Sequence, residues 1–188
     1  QAHRFIFICQ ADHLQNYPLR QLLEKEAPGC IIIEVSQVTQ GAACTVLLAK
    51  QYIDNDNPLM IANCDQFIDI KIDDYLSAMH FGVDGLIMTM TERDPKWSYV
   101  GFNERGQIDQ VVEKEVVSDE ATVGIYNYQH GLDFVRAAQE MIEQNLRVNN
   151  EFYVAPAYNQ MIAAGKTIVH YNEGQVGRAM PGLRTPPD

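Results

Sequence analysis

The sequence predicts an α/β fold, a mixed sheet flanked by helices. Three observations predict it. Over residues 4–90, short β-branched apolar runs alternate with stretches of helical spacing, the pattern of βαβ units and a mostly parallel sheet with helices on both faces. Over residues 98–128, three strand-like runs follow one another through tight turns, which adds an antiparallel or mixed extension. A long helical stretch, a shorter one and a last strand close the pattern.

Each element has a local reason. Residues 4–9 (RFIFIC) form an apolar run of strand length, and 17–26 has helical spacing stopped by Pro28 and Gly29. Residues 30–35 (CIIIEV) read as a buried strand, and 42–52 as a helix after the Gln40-Gly41 turn. Leu59–Ala62 is a short strand followed at once by Asn63, Cys64 and Asp65; 72–81 reads as a helix and 85–90 as a strand. Strands are expected at 98–102, 108–112 and 121–128, with Glu104-Arg105-Gly106 as one of the turns. Helices are expected at 132–146 and at 153–164, where Pro156 sits near the first turn, and a last strand at 167–171. The chain opens almost directly on a strand, and 181–188 (PGLRTPPD) suits neither helix nor strand. No repeat or linker interrupts it, so residues 1–188 read as one domain.

Composition narrows the function classes. With 46% hydrophobic and 21% charged residues the chain is globular. Its formal net charge of −11 argues against binding to nucleic acid polymers or anionic membranes. A phosphorylated ligand remains compatible, because a local pocket can be positive on an acidic protein. No apolar stretch approaches the roughly 20 residues of a membrane span, so no membrane insertion is expected. Residues 1–10 lack the order of a signal peptide. Cys9, Cys30, Cys44 and Cys64 have no metal-binding spacing and read as reduced, buried thiols of a cytoplasmic protein. The histidines (His3, His13, His80, His130, His170) form no catalytic or metal constellation, and GxSxG, Walker A and GxGxxG motifs are absent from the sequence.

Ligands of open α/β sheets bind beyond the carboxyl ends of strands. Asp65, just after a strand, suits a divalent cation beside a phosphate, or equally an Asx-turn or helix cap. Gln40, Gly41 and Ala42 lie between a strand and a helix; Gly41 permits close backbone approach and the Gln40 amide can read a nucleobase edge, while an ordinary tight turn explains the same residues. Glu113 and Lys114 end a strand, where the lysine can neutralise a phosphate and the glutamate accept from sugar hydroxyls; a solvated pair at a sheet edge is the alternative. Glu151 and Asn159 are further candidates, Glu151 also suiting a helix start.

Taken in order, these residues resemble the sugar-phosphate nucleotidyltransferase family, the glucose-1-phosphate thymidylyltransferase and uridylyltransferase group. The motifs are Gln40-Gly41-Ala42, PLMIANCD (58–65), PKWSYV (95–100), VEK (112–114), ATVGIY (121–126) and EFYVAPAYN (151–159), and they run over nearly the whole chain. The resemblance looks closest to a bacterial branch serving surface polysaccharides. It implies a three-layer nucleotide-diphospho-sugar transferase-like, Rossmann-like fold and transfer of NMP from an NTP to a sugar 1-phosphate, or a similar phosphorylated small molecule, with release of pyrophosphate. It also implies roles by position: Gln40, Gly41 and Ala42 at the nucleotide, Asp65 on Mg²⁺ beside the nucleotide phosphate, and Glu113 and Lys114 on the sugar and its phosphate. Val123 and Gly124 would line the sugar pocket, and Glu151 and Asn159 would close it. Asp65 and Lys114 are then the catalytic pair, and a homo-oligomer is allowed for.

The sequence departs from this family in two places. The family's first βα unit, with its glycine-rich loop, arginine and Pro-Lys pair, has no counterpart before His3. At 181–188 Arg184 stands where glycine is expected before Thr185, so no second metal ligand is assigned, and Asp188 is not given that role. The rival readings are a nucleotide-sugar-dependent glycosyltransferase of the related fold, which predicts a DxD pair where Asn63-Cys64-Asp65 offers one carboxylate, and a truncated nucleotide-sugar-binding domain without turnover.

Overall fold

A computed structural model describes residues 3–65 and 67–175 of the chain. The 181–188 segment, with Arg184 and Asp188, lies outside the described residues.

The first half begins as expected. Strand β1 (Ile6–Gln10) pairs in parallel with β2 (Ile31–Val35) through α1 (Ala11–Asn16) and α2 (Leu19–Glu26). The predicted helix at 17–26 starts two residues late because Tyr17 precedes Pro18, and proline pushes its predecessor out of the helical region; Tyr17 is extended. The helix at 42–52 divides into α3 (Ala42–Leu47) and α4 (Lys50–Ile53), with three-residue hydrogen bonds tightening the chain at Leu48 and Ala49. After β3 (Leu59–Ala62), α5 spans Ile72–Leu76 alone. The Ser77 hydroxyl donates to the Asp74 carbonyl at 2.6 Å, competing with the helix ladder where 72–81 was expected to continue.

The second half carries β4 (Gly85–Thr91), β5 (Ser98–Phe102), β6 (Ile108–Glu113) and β7 (Glu120–Tyr128). They are followed by α6 (Gly131–Glu143), a 3₁₀ turn (Ala155–Ala157), α7 (Tyr158–Ala163) and β8 (Ile168–Gln175). The predicted helix at 153–164 is this 3₁₀ turn and α7; Pro156, which has no N–H to donate, sits inside the turn.

The expectation of a mostly parallel sheet is corrected. The larger sheet has the order β6-β5-β7-β4-β8 with β3 also on β7, and only β4 and β8 are parallel in it. Strand β7 lies antiparallel between β4 on one side and β3 and β5 on the other, separating strands that simple βαβ alternation would have paired. Helices cover both faces. On one, Ile61, Ile87, Val100, Val111 and Tyr126 meet α3, α4, α6 and α7 through Ala43, Ile53, Phe134, Ala138 and Met161. On the other, Leu86, Met88, Tyr99 and Val123 meet Tyr75 of α5. The Tyr75 hydroxyl donates to Asn127 Oδ1 at 2.8 Å, so this core keeps a buried polar pair satisfied. The thiols sit less deeply than their apolar neighbours suggested: Cys9, Cys30 and Cys44 are half-buried and Cys64 is exposed.

The organising irregularity is in β7. Ile87 pairs with Tyr126 and Thr89 with Thr122, so two steps along β4 match four along β7. The surplus is a bulge at Gly124, whose φ is +76°. A side chain in this left-handed region costs about 1–2 kcal/mol. Gly124→Ala is expected to lose about that much stability, read as a lower urea midpoint at unchanged slope.

Candidate active site

The bulge sets the site. Strand β3 pairs with β7 over residues 125–128, and β5 meets it at Ala121, so β3 and β5 lie end to end along one edge of β7. The end of β3 and the start of β5 therefore flank the bulge, and the Asn63 N–H donates to the Gly124 carbonyl at 3.0 Å. Asp65 follows two residues later and is exposed. Among the described residues no group of three or more His, Cys, Asp or Glu side chains could hold a metal. A lone carboxylate at a strand end fits Mg²⁺, which keeps several waters and takes its remaining ligands from substrate phosphates.

Beside the start of β5, Ser98 pairs in register with Glu113 at the end of β6, and its hydroxyl donates to the Glu113 carboxylate. Burial pushes Glu113 above the usual carboxylate range, opposed by that hydrogen bond and by the nearby Lys114. Tyr126 lies behind, its hydroxyl 3.0 Å from Thr122 Oγ1, and burial pushes its phenol up to about 12. Lys114 turns out of the strand with φ +58°, an unusual conformation for a side-chain-bearing residue, and its N–H donates to the Trp97 carbonyl at 3.0 Å. The Lys114 ammonium donates to the Tyr153 hydroxyl at 3.0 Å and lies 5.1 Å from the centre of that ring. The Tyr153 hydroxyl is the main cause that raises the Lys114 pKa, with Glu113 and Glu151 adding smaller contributions.

The Gln40-Gly41 turn is bound to the segment that carries Glu151. The Phe152 N–H donates to the Gln40 carbonyl at 2.8 Å, and the Ala43 N–H to the Phe152 carbonyl at 2.9 Å. Gly41 has φ +123°, and a Cβ there would sit 2.5 Å from the Phe152 nitrogen and oxygen, so only glycine fits. Gln40 and Ala42 are exposed at the surface of this turn. Gly41 and Glu151 line a cavity of about 230 Å³ together with Ile8, Gln10, Thr39 and Thr45.

The structure thus brings Glu113 and Glu151 within electrostatic reach of Lys114, and sets Gly41 and Glu151 around one cavity. Val123 is fully buried in the core beneath α5, and Gly124 makes the bulge. The Asn159 amide is engaged with the main chain of β6: its Oδ1 accepts from the Val111 N–H at 2.7 Å and its Nδ2 donates to the Val111 carbonyl at 2.8 Å, covering an edge strand. Glu151 begins no helix. It closes a two-residue hairpin with Val148, in which Asn149 and Asn150 have φ +49° and +65°.

No family model matches the chain. Solved structures do match it. A nucleoside-diphosphate-sugar pyrophosphorylase from Vibrio cholerae RC9 aligns over 97% of this chain and 77% of its own, with a TM-score of 0.78 and 22% identity. An inositol-1-phosphate CTP transferase from T. maritima aligns over 97% and 71%, with a TM-score of 0.68 and 13% identity. A UDP-glucose pyrophosphorylase complexed with UDP-glucose aligns over 90% and 72%, with a TM-score of 0.66 and 16% identity. The chain has the fold of these nucleotidyltransferases.

Three side chains beside the candidate residues escaped the sequence reading: Ser98, Tyr153 and Arg147, whose guanidinium lies 4.4 Å from the centre of the Phe152 ring. Asn149-Asn150 was the available signal. Both residues tolerate positive φ, so the pair marks a tight hairpin that sets Arg147 beside Phe152.

Glu113 supports a pH prediction. Its folded pKa is raised, so the fold favours the protonated form. That contribution is full below the unfolded pKa and is lost as pH rises through the folded value. Glu113→Gln removes the loss. Measured by urea unfolding, the variant should gain stability relative to the parent as pH rises through the carboxylate range, and the two should converge in shape below it.

Proposed function

We propose that this protein transfers a nucleoside monophosphate from an NTP to a sugar 1-phosphate, or a comparable phosphomonoester, with release of pyrophosphate. One observation carries the reading. In a chain with the fold of a nucleoside-diphosphate-sugar pyrophosphorylase, Glu113, Lys114 and the Gln40-Gly41 turn lie around one short segment, residues 151–153, that itself carries Glu151.

In this reading Gln40, Gly41 and Ala42 receive the nucleotide, the Gln40 amide facing the base. Lys114 takes the acceptor phosphate, while Glu113 and Glu151 accept from acceptor hydroxyls. Gly124 shapes the acceptor side through the bulge, Val123, turned into the core beneath α5, lines no pocket among the described residues, and Asn159 acts from behind, by fixing β6. An acceptor phosphate oxygen attacks the α-phosphorus of the NTP as the bond to the bridging β-phosphate oxygen breaks, and pyrophosphate leaves in line. Asp65 is the residue we assign to Mg²⁺, which when bound neutralises charge on the phosphoryl oxygens. Catalysis is then positioning and electrostatics, with no covalent intermediate. A cytoplasmic enzyme supplying precursors for surface polysaccharide fits this reaction. Among the described residues no helix is long and apolar enough to cross a membrane.

The domain reading belongs to the same proposal: residues 1–188 form one nucleotidyltransferase-like domain, completed by a first βα unit from outside them. Its support is the pairing of the strands. Among the described residues β1 pairs with β2 and β3 with β7, which leaves β1 and β3 one open edge each. Cys9, near the end of β1, has its thiol pushed up by burial first and then by Cys64 after β3, so the two strand ends lie within electrostatic reach. A single strand between those edges would join the two sheets.

The test is pyrophosphate release by the full-length protein from each NTP with a panel of sugar 1-phosphates and inositol 1-phosphate. Turnover with at least one pair is expected, and Asp65→Asn should lower kcat by about a hundredfold or more. Silence across every pair would refute the reaction, and full activity of Asp65→Asn would refute the role of that residue.

A further inference from the structure

We propose that Tyr153 is the positioning residue for Lys114: it fixes the ammonium where the acceptor phosphate is taken up and holds it in register with the Gln40-Gly41 turn. The inference rests on the proposed reaction for the identity of the ligand, and on geometry alone for the positioning.

A lysine on an exposed strand end would ordinarily sweep a wide volume, because its four-carbon stem is flexible. Lys114 is tied at both ends instead. Its main chain is fixed by the hydrogen bond to the Trp97 carbonyl and by its left-handed φ. Its tip is fixed by the Tyr153 hydroxyl at 3.0 Å, which sets the ammonium 5.1 Å from the centre of that ring. The choice of partner matters. Glu113 and Glu151 both lie within electrostatic reach, yet the ammonium rests on a neutral phenol. A carboxylate in direct contact would cancel the charge that an incoming phosphate needs. A phenol orients the ammonium and leaves its charge and two of its three N–H groups available.

Tyr153 is itself fixed from the nucleotide side. The residue before it, Phe152, is fully buried and bonded through its main chain to Gln40 and Ala43, against the face of Gly41 where a Cβ has no room. Its ring lies under the Arg147 guanidinium. The hairpin at Asn149 and Asn150 fixes the approach of the chain to this point. The turn assigned to the nucleotide and the lysine assigned to the acceptor are thus two faces of one three-residue strip. The distance between the two substrates is set there, and a displacement of about 1 Å in such a register can cost orders of magnitude in rate.

Tyr153→Phe tests this, because it keeps the ring and removes only the hydroxyl. Tyr17→Phe, on an exposed tyrosine at the end of α1, is the control. Two readouts are taken on the full-length protein. The first is the nitrogen-15 resonance of the Lys114 ammonium, assigned by its loss in Lys114→Arg. The resonance should shift, and its titration should move down toward ordinary lysine, in Tyr153→Phe and not in the control. The second is steady-state kinetics with UTP and glucose 1-phosphate, or with the best pair found. KM for the acceptor should rise about tenfold while KM for the NTP stays near the parent value. An unmoved Lys114 resonance overturns the positioning. A shifted resonance with an unchanged acceptor KM overturns its purpose. If the parent turns over no pair, the proposed reaction falls, and the resonance alone still decides whether Tyr153 holds Lys114.

Discussion

One nine-residue strand organises the larger sheet, and the candidate site lies beside its bulge. Strand β7 is buried along most of its length and serves β4 on one side and both β3 and β5 on the other. Two strands share one edge of β7, and on its other edge the ladder with β4 is interrupted where Gly124 makes the bulge. The end of β3, which leads to Asp65, and the start of β5, which pairs with Glu113, lie on either side of this irregularity. The core follows from the same arrangement. Tyr126 and Tyr128 face one helical layer, while Val123 and Asn127 face the other, so both helical layers are seated against the strand that shapes the site.

The second constraint is the contact of Gly41 with Phe152. Sequence reasoning left Gly41 open between a ligand turn and an ordinary tight turn, and the packing shows a third reason for glycine, the passage of another main chain within 2.5 Å of the place a Cβ would fill. Such a reason is invisible locally. It depends on a partner 111 residues along the chain, and only the fold brings that partner near.

Legibility followed the range of the interactions. The strands at 59–62 and 98–102 were readable to the residue, because β-branched and aromatic runs bounded by turn residues are local signals. The pairing was not: nothing in Glu120–Tyr128 itself says that β3 and β5 will share its edge. Helix ends were lost where side chains or proline competed with the ladder, at Pro18, Ser77 and Pro156. Glu113 and Lys114 stood out in the sequence as charged residues ending an apolar strand, and the structure sets them at the end of β6. Tyr153 was not, since a tyrosine in an apolar segment reads as core, and its importance lies in a lysine 39 residues away.

Local charge argues for the class of acceptor. Lys114 is flanked by Glu113 and Glu151, in a protein of net charge −11. A bare anion would meet one cation and two carboxylates, and repulsion would offset most of the attraction. A phosphorylated polyol presents differently. In the proposed reading its phosphate would face Lys114 and its hydroxyls would donate to the two carboxylates, turning the repulsive groups into partners. Burial of Glu113 sharpens the distinction, because a carboxyl already disfavoured as an anion gains most from a neutral donor that replaces lost solvent. On the side proposed for the nucleotide, Gly41 shares its cavity with Glu151 alone of these carboxylates, and the Gln40 side-chain amide is exposed and can pair with a base edge. The two halves of the site therefore differ in the chemistry they can recognise, and the strip at 151–153 lies between them.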